Sequence, residues 1–145
     1  MKILQLHSNF IEYQPIEREI ASAEECERKP HRLEELVVLF VSVEKGDTIQ
    51  TGRKAVDDVK VFLNKIKANR ILIYPYAHLS GELASSYEAL EILKDMESYA
   101  KSLGIETHRA PFGWCKAFTI SVKGHPLAEQ FRSIRLGKEK EVVSE

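Results

Sequence analysis

The sequence contains few of the residues that define disulfide-bonded, metal-binding or membrane proteins. Its 145 residues include two cysteines, Cys26 and Cys115, which lie far apart and form no CxxC motif. This cysteine usage predicts a reduced, cytoplasmic protein rather than a disulfide framework. No apolar run approaches the roughly 18 residues that a membrane-spanning helix needs. The first residues are too short an apolar run for a signal peptide, so we expect no membrane partner.

The chain also has no excess of charge of either sign. It has 21 Lys and Arg residues against 22 Asp and Glu residues, which gives a net charge of −1. This balance argues against binding of duplex nucleic acid through bulk charge, although a local contact with an RNA end is compatible with it. The length fits a single domain with a core large enough to fold alone.

Motifs for nucleotides, cofactors and metals are missing as well. The sequence contains no GxGxxG, GxxxxGK[ST] or HExxH pattern, so no nucleotide or cofactor is predicted. The histidines show none of the close spacing that zinc ligands have. They are His7, His31, His78, His108 and His125. We therefore predict no metal site.

Hydrophobic patterning divides the first half of the chain into strands, a loop and one helix. Residues 2–8 predict a strand, which 9–16 extend as an edge until Pro15 stops it. Residues 17–35 are charged, without a clear period, and predict a loop. The apolar run 36–43 predicts a central strand covered on both faces. Apolar positions from residue 53 to residue 68 recur every three or four residues and predict a helix.

The second half repeats this alternation of strands and helices. Residues 70–77 predict a buried strand, and 82–103 predict a second helix in which Leu83, Tyr87, Leu90, Leu93, Met96, Ala100 and Leu103 form one stripe. Short strands at 105–110 and 116–122 follow, then a turn and a short helix before residue 135. The pattern predicts one α/β domain, residues 1–136, with a mixed β-sheet and two main helices packed on it. The charged tail, 137–145, predicts a linker toward a further domain.

The segment YPYAHLSGEL, 74–83, joins a buried strand to a helix through an irregular turn. Such a turn exposes backbone amides, and the start of a helix favours anions. Ser80 and His78 both lie in this turn and are candidate binding residues. The alternatives are that Ser80 caps the following helix and that His78 bonds nearby backbone.

The segment APFGWCKAF, 110–118, places a cation inside an apolar stretch. Gly113 allows a close backbone approach or a positive φ. Lys116 needs an anionic or polar partner among apolar walls, and Glu129 is the predicted one; the alternative is an ordinary surface salt bridge. Cys115 is either a nucleophile, with a histidine as base, or a small buried side chain, and we favour the second.

Taken in order, YPYAHLSGELA, APFGWCKAF and KGHPLAE resemble the N-terminal editing domain of archaeal threonyl-tRNA synthetases. The segments KILQLHSNFIEY and FVSVEK fit the same pattern, and the resemblance extends from Met1 to about Ile134. It implies a fold like that of D-aminoacyl-tRNA deacylases, a homodimer, and hydrolysis of seryl-tRNA(Thr) with threonine spared. The implied partners are the 3′ end of tRNA(Thr) carrying serine and the rest of the synthetase chain. The domain itself would need no cofactor, since ATP, Mg and Zn belong to the missing synthetase domains.

The resemblance also assigns roles to residues. Lys116, His78 and Glu129 would act in catalysis, with the terminal 2′-hydroxyl of the RNA assisting the water. The substrate-binding residues would be Ser42, Val43, Glu44, Tyr76, Ala77, Phe112, Gly113 and Cys115. Cys115 departs from the family pattern, which generally has tyrosine there. Three other functions stay open: a broader D-aminoacyl-tRNA deacylase, a non-catalytic tRNA-binding module, and a thiol-dependent hydrolase.

Overall fold

A computed structural model describes residues 1–136 of the chain. The predicted linker, 137–145, lies outside the described residues. The described part contains β1 (Lys2–Arg18), β2 (His31–Ser42), α1 (Ile49–Ile66), β3 (Arg70–Pro75), α2 (Ser86–Ser102), β4 (Glu106–Arg109), β5 (Trp114–Val122) and β6 (Glu129–Ser133), in that order.

The strands form one mixed sheet, which confirms the predicted α/β architecture. Their order is β4-β3-β2-β1-β5, and β6 also pairs with β1. Strands β2, β3 and β4 are parallel to one another, because the helices α1 and α2 cross over between them. β1 pairs antiparallel with β2, β5 and β6. The carboxyl ends of the three parallel strands therefore meet at one edge of the sheet.

Both helices pack on one face of this sheet. The predicted stripe of α1 is confirmed at Val56, Val59, Phe62 and Leu63, all of which are buried. The predicted stripe of α2 is partly wrong, since α2 begins only at Ser86. Tyr87 is 77% exposed and Leu83 precedes the helix. The buried face of α2 is formed by Ala89, Ile92, Leu93, Met96 and Ala100.

The opposite face of the sheet is covered by the sheet itself, because β1 bends and carries β5 over that face. The pairing of β1 with β5 shifts register between Ser8 and Phe10 and again between Pro15 and Glu17. Such irregularities bend a strand and increase its twist. The bend brings Phe118 of β5 over the sheet, and its ring centroid lies 5.6 Å from those of Phe40 and Tyr74. The start of β5 thereby reaches the carboxyl ends of the parallel strands.

The end of β1 and the start of β2 differ from the sequence prediction. β1 passes through Pro15 and continues to Arg18, because β2 pairs with β1 only as far as Tyr13. Beyond that point one edge of β1 is open, and an open edge accommodates proline. β2 begins at His31, so the predicted loop 17–35 is shorter than expected.

The predicted C-terminal helix is also wrong. Residues Glu129–Ser133 form β6, which pairs with Lys2–Leu6 of β1. All five side chains of this strand are exposed or half-buried and only Phe131 is apolar, so no buried face marks its sequence as a strand. Pairing with β1 decided its conformation.

Candidate functional site

A narrow cleft opens at the edge where the parallel strands end. Its volume is about 110 Å³, which is below the about 300–1,000 Å³ of typical small-molecule sites. It is lined by Glu19, Val41, Val43, Pro75, Tyr76, Ala77, Leu83, Ala84, Ala89, Leu93, Phe112, Gly113, Trp114 and Lys116. Most of these side chains are apolar, and the charged ones are Glu19 and Lys116. Six of the residues predicted from the sequence therefore meet here, from three separate segments.

Lys116 supplies the cation of the cleft. Its Nζ lies 4.9 Å from the centroid of the Tyr74 ring and donates to the carbonyl of Trp114 at 3.2 Å. Burial lowers the pKa of Lys116 to about 8, although the carboxylates of Glu19 and Glu24 oppose this shift. Among residues 1–136 no ion pair neutralises this ammonium group. At neutral pH it is a partly desolvated positive charge at the cleft wall.

Backbone hydrogen bonds join the turn after β3 to the end of β2. The amide of Tyr76 donates to the carbonyl of Val41 at 2.9 Å. Ser42 is buried, and its hydroxyl donates to the carbonyl of Tyr76 at 2.5 Å and accepts from the amide of Leu79 at 3.3 Å. Ser42 is thus outside the cleft lining but fixes the course of the chain through Ala77.

Glu44 also acts behind the cleft rather than in its wall. Its carboxylate accepts hydrogen bonds from the Ser80 hydroxyl at 2.6 Å and from the amino group of Met1 at 2.9 Å. Burial raises the pKa of Glu44, but these two donors outweigh burial and hold it below its usual range. The alternative reading of Ser80 as a helix cap is wrong, because Ser85 caps α2 by accepting from the Glu88 amide.

The turn 111–113 carries the opposite wall of the cleft. Gly113 adopts φ +86°, and a Cβ there would lie 2.9 Å from the Cα of Ala23. Glycine is therefore required both by the left-handed backbone and by the close approach. The contacting segment, residues 19–24, was not predicted as part of the site. Its own sequence has no period that would reveal this packing.

Several predicted site residues lie outside the cleft. His78 is exposed, and its ring contacts the Tyr76 ring with centroids 5.1 Å apart. Cys115 is exposed, which corrects the expectation of a buried thiol. Trp114, by contrast, lines the cleft, but it is buried at 5% exposure and packs under arginine side chains, so it does not offer a free stacking surface.

The predicted contact between Lys116 and Glu129 is wrong within one chain. Glu129 is exposed and pairs with Leu6 near the start of β1, whereas Lys116 pairs with Pro15 near its end. Closeness in sequence did not bring them together, because β5 and β6 pair with different halves of β1. The carboxylates nearest Lys116 come from the segment 19–24 instead.

The chemistry available at this site is that of backbone groups, one ammonium group and the Glu19 carboxylate. Among residues 1–136, no group of three or more His, Cys, Asp and Glu side chains is arranged to hold a metal ion. None of the helices in the same residues has the length and hydrophobicity that crossing a lipid bilayer requires. Such a cleft can hold a small polar group against apolar walls and stabilise developing negative charge or a water beside Lys116.

Comparison with known structures identifies the class of fold. The chain is similar to the structure of the c-Myc DNA Unwinding Element Binding Protein, with a TM-score of 0.69 over 93% of this chain and 99% of that one. The identity is 8%, so the likeness concerns the fold alone. The shared fold is the predicted α/β fold, a mixed sheet with two helices packed on one face.

The chain belongs to the archaea-specific editing-domain family of threonyl-tRNA synthetase, whose model matches residues 1–134. It is 47% identical over 135 residues to a threonine–tRNA ligase of Nitrosopumilus maritimus, covering 92% of this chain and 21% of that protein. It is 43% identical over 145 residues to a threonine–tRNA ligase editing subunit of Saccharolobus solfataricus, covering all of this chain and 37% of that subunit. The chain thus spans between a fifth and two fifths of the length of these relatives.

Proposed function

We propose that this domain hydrolyses mischarged seryl-tRNA(Thr) and spares threonyl-tRNA(Thr). The observation that carries the proposal is the small apolar cleft beside the Lys116 ammonium group, in a chain of the editing-domain family. Editing of this kind is needed because the synthetic site discriminates poorly between the two amino acids. A synthetic site that accepts threonine discriminates against serine by only about 1–3 kcal/mol, the value of one methyl-sized group.

The cleft is suited to a second and tighter selection between serine and threonine, after that of the synthetic site. A rigid wall that leaves no room for the extra methyl group excludes threonine by overlap, whereas serine enters. The turn through Ala77 and the turn at Gly113 form two walls, and each is fixed by hydrogen bonds to a neighbouring segment. Rigid backbone is a better size filter than mobile side chains, because it cannot move aside at low cost.

In the proposed reaction, water attacks the ester carbonyl and releases serine and the free 3′ end of the RNA. Lys116 holds the serine hydroxyl or the attacking water and stabilises the negative charge that develops on the carbonyl oxygen. The terminal 2′-hydroxyl of the RNA assists the water, so that no protein nucleophile is needed. His78, exposed at the rim, would orient the terminal ribose.

Assembly and partners extend the proposal. The RNA partner is the 3′ end of tRNA(Thr), and the rest of the synthetase chain is the covalent partner. In the expected homodimer, Glu129 of one chain would approach Lys116 of the other, since the two residues do not meet within a chain. We place the reaction in the cytoplasm and propose no cofactor for this domain.

The test is a deacylation assay with seryl-tRNA(Thr) and threonyl-tRNA(Thr) side by side. Hydrolysis of seryl-tRNA(Thr) without hydrolysis of threonyl-tRNA(Thr) supports the proposal. No hydrolysis of either ester at a large excess of protein refutes it. D-seryl and L-seryl esters on one tRNA distinguish a broader D-aminoacyl-tRNA deacylase. Saturable RNA binding without turnover would indicate a non-catalytic module.

A thiol-dependent reaction is tested separately with Cys115→Ser. The exposed position of Cys115 outside the cleft favours retained activity in this variant. Abolished hydrolysis, together with inactivation by an alkylating reagent, would show instead that the thiol is the nucleophile.

A further inference from the structure

Residues 19–24 form an irregular segment that crosses the turn at Gly113 and has no role in the reaction proposed above. Its backbone is bonded to that turn at two points. The amide of Glu19 donates to the carbonyl of Gly113 at 2.8 Å, and the amide of Glu24 donates to the carbonyl of Phe112 at 3.0 Å. Because a Cβ on Gly113 would meet the segment at 2.9 Å, no space separates the two. A displacement of the segment would therefore displace the turn.

The Glu24 side chain connects the same turn to the helix layer. Its carboxylate accepts from the amide of Phe112 at 2.8 Å and from Nη2 of Arg109 at 3.0 Å. Nε of Arg109 donates to Glu97 of α2 at 2.8 Å. The side chains of Arg109 and Glu24 are 12% and 20% exposed. Charge-assisted hydrogen bonds with so little solvent access are stronger and more rigid than surface pairs.

Trp114 completes the attachment and also offers a way to observe it. Its indole Nε1 donates to the carbonyl of Glu24 at 2.7 Å, and the side chain is buried. It is the single tryptophan of the sequence. Its fluorescence therefore reports on this contact without interference from another indole.

We propose that Glu24 is a positioning residue of the candidate site and that it sets the width of the cleft. It does so by holding the segment 19–24 against Gly113, so that the wall opposite Ala77 cannot move outward. This inference rests on the proposed function, because the width of the cleft is what separates serine from threonine. Glu24 itself need not touch the substrate.

The experiment compares Glu24→Gln with Glu25→Gln as a matched control. The Glu24→Gln variant keeps a side-chain oxygen for the Phe112 amide but loses the charge that binds Arg109, whereas the Glu25 side chain is 95% exposed. The measured quantity is the ratio of kcat/KM for seryl-tRNA(Thr) to that for threonyl-tRNA(Thr). This ratio does not depend on the fraction of folded protein. We expect Glu24→Gln to lower it by about tenfold, and Glu25→Gln to leave it unchanged.

Trp114 emission provides a readout that is independent of activity. We expect Glu24→Gln to shift the emission to longer wavelength and to increase quenching by acrylamide, and Glu25→Gln to do neither. An unchanged serine-to-threonine ratio in Glu24→Gln would overturn the inference. If the parent protein hydrolyses neither ester, the proposed function fails. Unchanged Trp114 emission in Glu24→Gln would then show that Glu24 does not hold the turn either.

Discussion

Each end of the parallel strands lies beside a lysine, but the two lysines have opposite surroundings. At the carboxyl ends, Lys116 lies in an apolar cleft over the Tyr74 ring, without a paired carboxylate among residues 1–136. At the amino ends, Lys123 pairs with Glu35 at 2.9 Å, in an open and polar depression. One end therefore retains an ammonium group without an ion pair, whereas at the other end Lys123 is paired with a carboxylate.

The remaining groups reinforce this contrast. At the amino ends, Arg70 pairs with Glu106, and the rings of His7 and His125 are joined by a hydrogen bond of 2.8 Å. Burial and the neighbouring His125 lower the pKa of His7. Paired charges on a surface contribute little and need no ligand. An ammonium group held in an apolar cleft stays costly until a ligand satisfies it, which is why we propose the functional site at the carboxyl ends.

The largest effect that we expect comes from Lys116→Met. It should lower the single-turnover rate of seryl-tRNA(Thr) hydrolysis by about 100-fold or more, because a preorganised donor to developing charge is worth that much. The matched control, Lys123→Met, removes the same group from the opposite end and should hydrolyse seryl-tRNA(Thr) at the parent rate. Equal rates in the two variants would remove the distinction between the two ends.

The second effect concerns the close approach at Gly113. Gly113→Ala should lower the free energy of unfolding by about 2–4 kcal/mol, from backbone strain and overlap together. Gly46→Ala is the control, since Gly46 has φ +88° but nothing within 4 Å of the added Cβ. It should cost about 1 kcal/mol, the strain alone. Urea unfolding measures both values. Identical losses in the free energy of unfolding would show that the segment 19–24 moves aside without cost.

The third effect is a dependence on pH. The pKa of Lys116 is about 8 in the folded protein against an ordinary 10.5, so the unfolded chain binds this proton more tightly. Stability should therefore rise with pH, by about 2 kcal/mol between about pH 7.5 and about pH 9.5. Activity should fall over the same range, as the ammonium group loses its proton. Urea unfolding and initial rates measure the two trends.

The comparison for this titration is Lys116→Met, which should show neither trend. Measurements end below pH 10, where tyrosines begin to lose protons. The contrary result is a free energy of unfolding that changes as little with pH in the parent protein as in Lys116→Met. It would show that Lys116 is fully hydrated, and the cleft would then lose its distinguishing charge.

The smallest effect belongs to the amino ends. Arg70→Gln breaks the pair with Glu106, and these side chains are 37% and 48% exposed. The loss in the free energy of unfolding should be below about 1 kcal/mol, and seryl-tRNA(Thr) hydrolysis should not change. Thermal unfolding and the deacylation assay check both. A large loss of activity would assign this end a function as well.

Much of the fold followed from local patterns in the sequence. The alternation of apolar strands and amphipathic helices predicted the mixed sheet, and the apolar surroundings of Lys116 predicted a cation in a pocket. The strand β6 was missed because half-exposed strands carry no strong period. The continuation of β1 through Pro15 was missed because only the pairing partners show which edge of a strand is open.

Local pattern determined the elements, the small residues at the turns and the presence of a lysine among apolar neighbours. Each of these depends on interactions within a few residues of chain. Tertiary structure alone decided that Lys116 faces Glu19 rather than Glu129, and that Glu24 bonds a turn 88 positions away. These contacts depend on how β1 curls and which strand pairs with each half of it. No short stretch of sequence contains that information, because register is set by the whole sheet.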